Sequence, residues 1–360
     1  MRALLLLPLL AACATLPPEG RTPYTPSPAM AAVLQEHREM RAVPLHTVSA
    51  NTTRVREVPT LAEAAQAIPN VRGLPASTTD VPQVINVVAS GADGPLPARL
   101  YRPELARDTP LVIWFPGGTW VTGTLDADDE AARQLSARTG WAVVVIATRR
   151  APEVPFPAAH DDALAAYQWA RGSARGWGAD PTRIVLGGAG PGANLALSTA
   201  LEARSRNVAV PDHLLMVTPL VTTRLSDQSM SENADSRPLT RSTLSWAQGE
   251  LTSGRAQLRD PRLDLLPRPD LAGLPRTTII LAEIDPLRSQ GEALAAALQS
   301  QGVPTSVRTF TGTTHDFFGL GGSVPEAAAA EDHAAQTLKI ALTRTLPPII
   351  SPPRARRARR

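Results

Sequence analysis

The sequence predicts an α/β fold: a mostly parallel, doubly wound sheet with a small N-terminal helical cap. Three observations predict it. Apolar runs of strand length recur at residues 111–115, 142–146, 184–186, 214–217 and 278–281, with a more polar strand signal at 305–310. Such runs do not alternate with polar residues, as expected of strands buried on both faces. Segments of helical length at 126–138, 158–171, 290–300 and 325–344, and a run opening at Asn194-Leu195-Ala196-Leu197, alternate with them, which is the rhythm of βαβ units. Finally, turns bearing glycine, aspartate or histidine follow the strands, and in these sheets function gathers beyond the carboxyl ends.

The elements can be justified from the N-terminus. Met1-Arg2 is a short basic start, and residues 3–11 form an apolar run too short to cross a bilayer comfortably. Leu10-Ala11-Ala12-Cys13 reads as a lipobox, cut ahead of a cysteine that becomes lipid-modified in bacteria; a plain secretory peptide with an accidental cysteine is the alternative. On the lipobox reading residues 1–13 are a lipoprotein signal ending at Cys13. The protein is then held in the bacterial envelope by a lipid anchor at Cys13, facing the periplasm or the exterior. Ala14 is not an aspartate, so nothing argues for inner-membrane retention. Cys13 is the only cysteine, which rules out an intrachain disulfide and a thiolate cluster; neither metal nor cofactor is expected.

Residues 14–28 are Pro-rich and apolar-poor, the composition of a tether. Residues 29–80 are expected to form the helical cap. Within it 31–42 is helical in pattern, with Met30, Val33 and Leu34 for one face, and Thr60-Leu61-Ala62-Glu63 resembles a capping box. The main domain is expected over 81–346. It opens with Val84-Ile85-Asn86-Val87-Val88, a Gly91-Ala92-Asp93-Gly94 turn and Ala98-Arg99-Leu100-Tyr101, a hairpin signal. A variable polar stretch over 226–274 is assigned no elements. Residues 347–360 are a basic Pro/Arg tail, which reads as a solvated run, with contact to anionic lipid heads or wall polymers as the alternative. Basic residues are almost all arginine, Lys339 excepted, and the net charge is only +3. With an export signal, no nucleic-acid partner is expected.

The most informative turn is Gly188-Ala189-Gly190-Pro191-Gly192, between the 184–186 strand and the run from Asn194. A nucleophile elbow, G-x-S-x-G, lifts a serine above the sheet on such a turn. Here Gly190 stands at the nucleophile position and brings no side chain. The N–H after the nucleophile ordinarily donates to the oxyanion, and Pro191 has none. Losing one such donor costs roughly 10²–10³ in turnover. Glycine tolerates the positive φ of an elbow and proline suits a first helical position, so the pair relaxes the turn as it removes the chemistry. Ser198 lies two helical turns on. Gly188, Gly190 and Ala193 also fit a loose dinucleotide fingerprint, but the next strand runs into Thr218-Pro219-Leu220 without the acidic residue that binding needs.

Three further segments follow strands. Pro116-Gly117-Gly118-Thr119-Trp120 offers consecutive backbone N–H groups, an oxyanion loop or a tight turn. Asp285-Pro286-Leu287 is a turn opener or a catalytic acid, and Gly312-Thr313-Thr314-His315-Asp316-Phe317 carries a loop histidine. Oxyanion loop, elbow, Asp, then His is the chain order of the α/β-hydrolase fold.

These motifs resemble the hormone-sensitive-lipase group of α/β hydrolases, the family IV bacterial esterases and lipases with an N-terminal cap. The resemblance covers roughly residues 100–342. It rests on Trp114-Phe115-Pro116-Gly117-Gly118-Thr119, on Arg150-Ala151-Pro152-Glu153 with Pro155-Phe156-Pro157-Ala158-Ala159, and on residues 187–196. Asp260-Pro261-Arg262, Asp285-Pro286-Leu287-Arg288 and His315-Asp316-Phe317 complete it. The resemblance implies that Asp285 and His315 are the acid and base, with Gly117, Gly118 and Thr119 in the oxyanion loop. The family pattern has His-Gly-Gly-Gly where this chain has Pro116 and Thr119 on the flanks, and serine where it has Gly190. The expectation is therefore a lipid-anchored, catalytically dead or impaired homologue whose pocket binds a ligand, such as a small apolar or ester-like molecule, or a partner; plant gibberellin receptors resemble this group and use the pocket for recognition. Two alternatives are an ester hydrolase in which His315 and Asp285 activate a water and a purely structural envelope protein.

Overall fold

Each apolar run becomes a strand because helices cover it on both sides. In the computed structural model, residues 22–40, 60–67, 79–104, 107–266 and 268–342 are described. The signal segment with Cys13, parts of the tether and cap, and the basic tail lie outside them. β3 (Thr109–Phe115), β4 (Ala142–Ile146), β5 (Ala179–Ala189), β6 (His213–Val217), β7 (Arg276–Ile284) and β8 (Thr305–Thr314) form the parallel part of the sheet. The predicted hairpin, β1 (Gln83–Gly91) and β2 (Gly94–Arg102), adds two antiparallel strands, giving the order β1-β2-β4-β3-β5-β6-β7-β8.

Alternate residues of β3 feed opposite cores. Leu111, Ile113 and Phe115 pack with α4 (Ala158–Ser173), α5 (Pro191–Ser205) and α8 (Arg288–Ser300). Val112 and Trp114 pack with α3 (Asp129–Thr139) and α9 (Pro325–Leu342). The second core also receives Met30 and Val33 of α1 (Pro28–Glu39) and Leu61 and Ala64 of α2 (Leu61–Ala67). The capping box at α2 is formed reciprocally: the Thr60 N–H donates to Glu63 Oε2 at 2.6 Å and the Glu63 N–H to Thr60 Oγ1 at 3.1 Å.

Four local differences from the sequence reading have physical reasons. The polar stretch over 226–274 contains α6 (Gln228–Glu232) and α7 (Arg241–Leu251). Thr240 caps α7 by accepting the Thr243 N–H at 3.0 Å, and Leu244, Ala247 and Leu251 supply its buried stripe. α3 starts at Asp129 rather than 126, and Asp128 at its N-cap turns its carboxylate to Trp114 and Gly117 instead of capping the helix. α5 starts at Pro191, whose missing N–H would have had no helical partner at that position. β8 runs on past Phe310. It pairs Ala282 with Phe310 but Ile284 with Thr314, so extra residues bulge out just before His315.

Candidate functional site

The elbow is present as backbone. Gly190 sits alone between β5 and α5 with φ 50° and ψ −116°. Its N–H donates to the Val217 carbonyl at 3.0 Å and its carbonyl accepts the Leu220 N–H at 3.0 Å, which ties the turn to the end of β6. An L side chain holds a left-handed φ only at a cost; glycine does not pay it. Gly192 is constrained differently, since a Cβ there would drive into the Phe115 carbonyl oxygen. At Gly190, by contrast, a Cβ would meet only His315, at 3.5 Å from Nε2 and 3.7 Å from Cε1. Position 190 is therefore aimed at the imidazole. Asn194 locks the first turn of α5: its Oδ1 lies 3.0 Å from His160 Nε2 and its Nδ2 donates to the Leu263 carbonyl at 3.0 Å.

Asp285 and His315 meet. β7 delivers Asp285 and the bulged β8 delivers His315, with Nδ1 and Oδ2 2.9 Å apart. Asp285 is fully buried, and its Oδ1 accepts the Leu287 N–H at 2.8 Å, which fixes the carboxylate plane. On the other side of the ring, Asp316 Oδ1 lies 3.4 Å from Nε2. Burial alone would depress the His315 pKa, but the charge of Asp285, that of Asp316 and the Asp285 hydrogen bond together raise it to about 9. The two carboxylates thus favour the imidazolium over the neutral ring.

The oxyanion loop follows β3. Gly118, Thr119 and Trp120 all have positive φ, at 86°, 61° and 62°. The Gly118 carbonyl accepts N–H groups from Val121 and Thr122, closing the loop. Gly117 donates its N–H to Asp128 Oδ2 at 3.2 Å, so this donor serves the fold. The remaining N–H groups of the expected trio belong to Gly118 and Thr119. The Thr119 hydroxyl is buried without a hydrogen-bond partner among the described residues.

Asp128 and Asp316 were missed as site residues. Asp128 stands at the N-cap of α3 but makes no side-chain cap bond. Instead it accepts from Trp114 Nε1 at 2.7 Å and from Gly117, pinning the oxyanion loop to β3. Burial pushes its pKa up to about 6 against the pull of those two bonds, with the Asp316 charge adding to the rise. The run Asp126-Ala127-Asp128-Asp129 looks like any acidic helix start, so no local signal separates Asp128 from its neighbours. Asp316 did have a signal, its adjacency to His315. Behind the histidine loop, buried Glu331 accepts the Gly319 and Gly321 N–H groups at 3.1 and 3.0 Å and pairs with Arg138 at 2.9 Å.

A turn of elbow geometry after β5, an acid after β7, a histidine after β8 and a glycine loop after β3 define an α/β-hydrolase site with Gly190 at the elbow. The family described as an alpha/beta hydrolase fold matches residues 112–319, more than half the chain. Among curated relatives, esterase LipI of Mycobacterium tuberculosis is 32% identical over 269 residues, covering 72% of this chain and 82% of the relative. An ethyl acetate hydrolase of Pseudomonas putida is 30% identical over 295 residues, covering 80% and 89%. Among solved structures, the hyperthermophilic esterase of Pyrobaculum calidifontis superposes with a TM-score of 0.78 at 28% identity, covering 88% of this chain and 98% of that one. A thermostable esterase from Pseudomonas putida gives 0.76 at 26% identity, covering 88% and 98%. The chain belongs to the hormone-sensitive-lipase-like esterase group of the α/β hydrolases.

Proposed function

We propose that this protein is a lipid-anchored member of the esterase group that binds a small apolar or ester-like ligand at the elbow site without hydrolysing it. The observation that carries the proposal is the aim of position 190. The turn, the acid and the base keep the geometry of acyl transfer, yet Gly190 offers no oxygen to the His315 ring 3.5 Å from where its Cβ would be. Pro191 removes the N–H that would have received the oxyanion. The lipobox at Cys13 supports placement in the bacterial envelope.

The intact pair of Asp285 and His315, 2.9 Å apart, favours a second reading in which the dyad activates a water for ester hydrolysis. In hydrolases lacking a triad member, roughly 10³–10⁴-fold catalysis over water can persist. Hydrolysis of p-nitrophenyl acetate and butyrate by the purified protein separates the two. Binding without turnover predicts rates equal to a buffer control between pH 6 and 8, with ester still retarding thermal unfolding. Turnover abolished by His315→Ala would establish the second reading.

A further inference from the structure

We propose that the end of the sheet carrying the elbow site faces the bilayer, so that the partner opposite the site is a phospholipid surface. This rests on the anchoring reading of Cys13 and goes beyond it. The described chain begins at Thr22, and residues 22–27 are docked along the site end of the molecule. The Thr22 hydroxyl donates to Asn233 Oδ1 at 2.7 Å. The Tyr24 hydroxyl donates to Glu232 Oε2 at 3.3 Å, and the Arg288 guanidinium lies 4.8 Å from the Tyr24 ring centroid. The Ser27 N–H donates to the Gly312 carbonyl at 2.9 Å, in the β8 bulge that precedes His315.

All these partners stand at the carboxyl ends of β7 and β8. Asn233 also donates through Nδ2 to the backbone carbonyl of Asp285 at 3.4 Å, and Arg288 opens the helix that follows Asp285. The chain therefore leaves the fold beside the acid and base. Nine peptide steps separate Cys13 from Thr22. A fully extended chain covers at most about 3.3–3.6 Å per residue, so the exit point stays within about 30 Å of the lipid attachment. The opposite end, where β8 starts at Thr305, lies nine steps back along the strand from Thr314, about 30 Å. Only a tether drawn out to its full reach would let the opposite end meet the lipid, so the fastened end is the one held toward the membrane, and ligands reach the elbow from the lipid side.

Energy transfer tests this on the full-length acylated protein in phosphatidylcholine vesicles carrying a headgroup acceptor. Lipidation consumes the Cys13 thiol, so a donor can be placed on Asp235→Cys, exposed two residues past Asn233, or on Ser300→Cys, exposed at the opposite end. Transfer from position 235 is expected to exceed that from 300 severalfold. Inserting about twenty Gly/Ser residues after Arg21, which more than triples the reach of the tether, is expected to leave the protein on the vesicles and erase most of that difference. Equal or reversed transfer in otherwise wild-type protein overturns the orientation. A difference that survives the insertion overturns the role given to the short tether. An N-terminal peptide without an acyl mass overturns the anchoring reading and the orientation with it, and mass spectrometry distinguishes that failure from the others.

Discussion

Asp316 holds its Oδ1 3.4 Å from His315 Nε2, on the far side of the ring from the Asp285 contact at Nδ1. The base of a would-be triad thus has a carboxylate on each nitrogen and, among the described residues, no hydroxyl on either. A histidine so placed is stabilised as its cation.

The first consequence is a pH dependence whose sign is fixed. The folded pKa of His315, about 9, lies above the ordinary value of about 6.5. Its contribution to stability is fully present below pH 6.5 and is lost as pH rises through 9. The thermal midpoint of wild type should therefore decline across this window. Asp316→Asn removes one of the two raising charges, so its decline should be shallower and begin from a lower midpoint. Calorimetry between pH 6 and 10 measures both slopes; parallel curves would show that Asp316 does not act on the ring.

A second prediction separates the two glycines of the elbow. Gly190→Ser forces a serine into a φ of 50° but meets no backbone, so it should cost about 1–2 kcal/mol and leave a folded protein. Gly192→Ala meets the Phe115 carbonyl and should cost about 3 kcal/mol, the upper end of overpacking penalties. Urea denaturation of the two variants supplies the comparison. A smaller loss for Gly192→Ala would mean that the elbow is looser than described.

Third, nucleophile and oxyanion donor should be separable by restoration. Gly190→Ser alone places a hydroxyl beside His315 but leaves Pro191 without an N–H. Gly190→Ser with Pro191→Ala should hydrolyse p-nitrophenyl esters roughly 10²–10³ faster than the single variant, the usual worth of one oxyanion donor. Equal rates would show that the lost N–H of Pro191 is immaterial.

Fourth, Asp128 should prove structural as well as electrostatic. Asp128→Ala orphans the buried Trp114 indole N–H and the Gly117 N–H, with a cost of about 2–6 kcal/mol at roughly 1–3 per unsatisfied group. Asp128→Asn keeps one acceptor oxygen and should lose less. Chemical denaturation checks the order.

Much of this arrangement was legible along the chain, because the parallel strands are apolar runs and the elbow, Asp285 and His315 each follow one. What was illegible came from distant partners. Gly312 reads as a strand breaker, yet its N–H is taken by Glu283 at 2.8 Å and its carbonyl by Ser27, so β8 continues to Thr314. Thr22 and Asn233 are 211 positions apart, beyond the reach of any local pattern. Asp128 was hidden for a different reason: its neighbours share its side chain, and only Trp114 singles it out.

The most direct test is intact-mass spectrometry of wild-type protein after exposure to an excess of a reactive fluorophosphonate. The unmodified mass should persist, and the same treatment of the Gly190→Ser, Pro191→Ala variant should add one phosphonyl group. A stoichiometric adduct on wild type, lost on His315→Ala, would contradict the account, because it would reveal an activated nucleophile at this site.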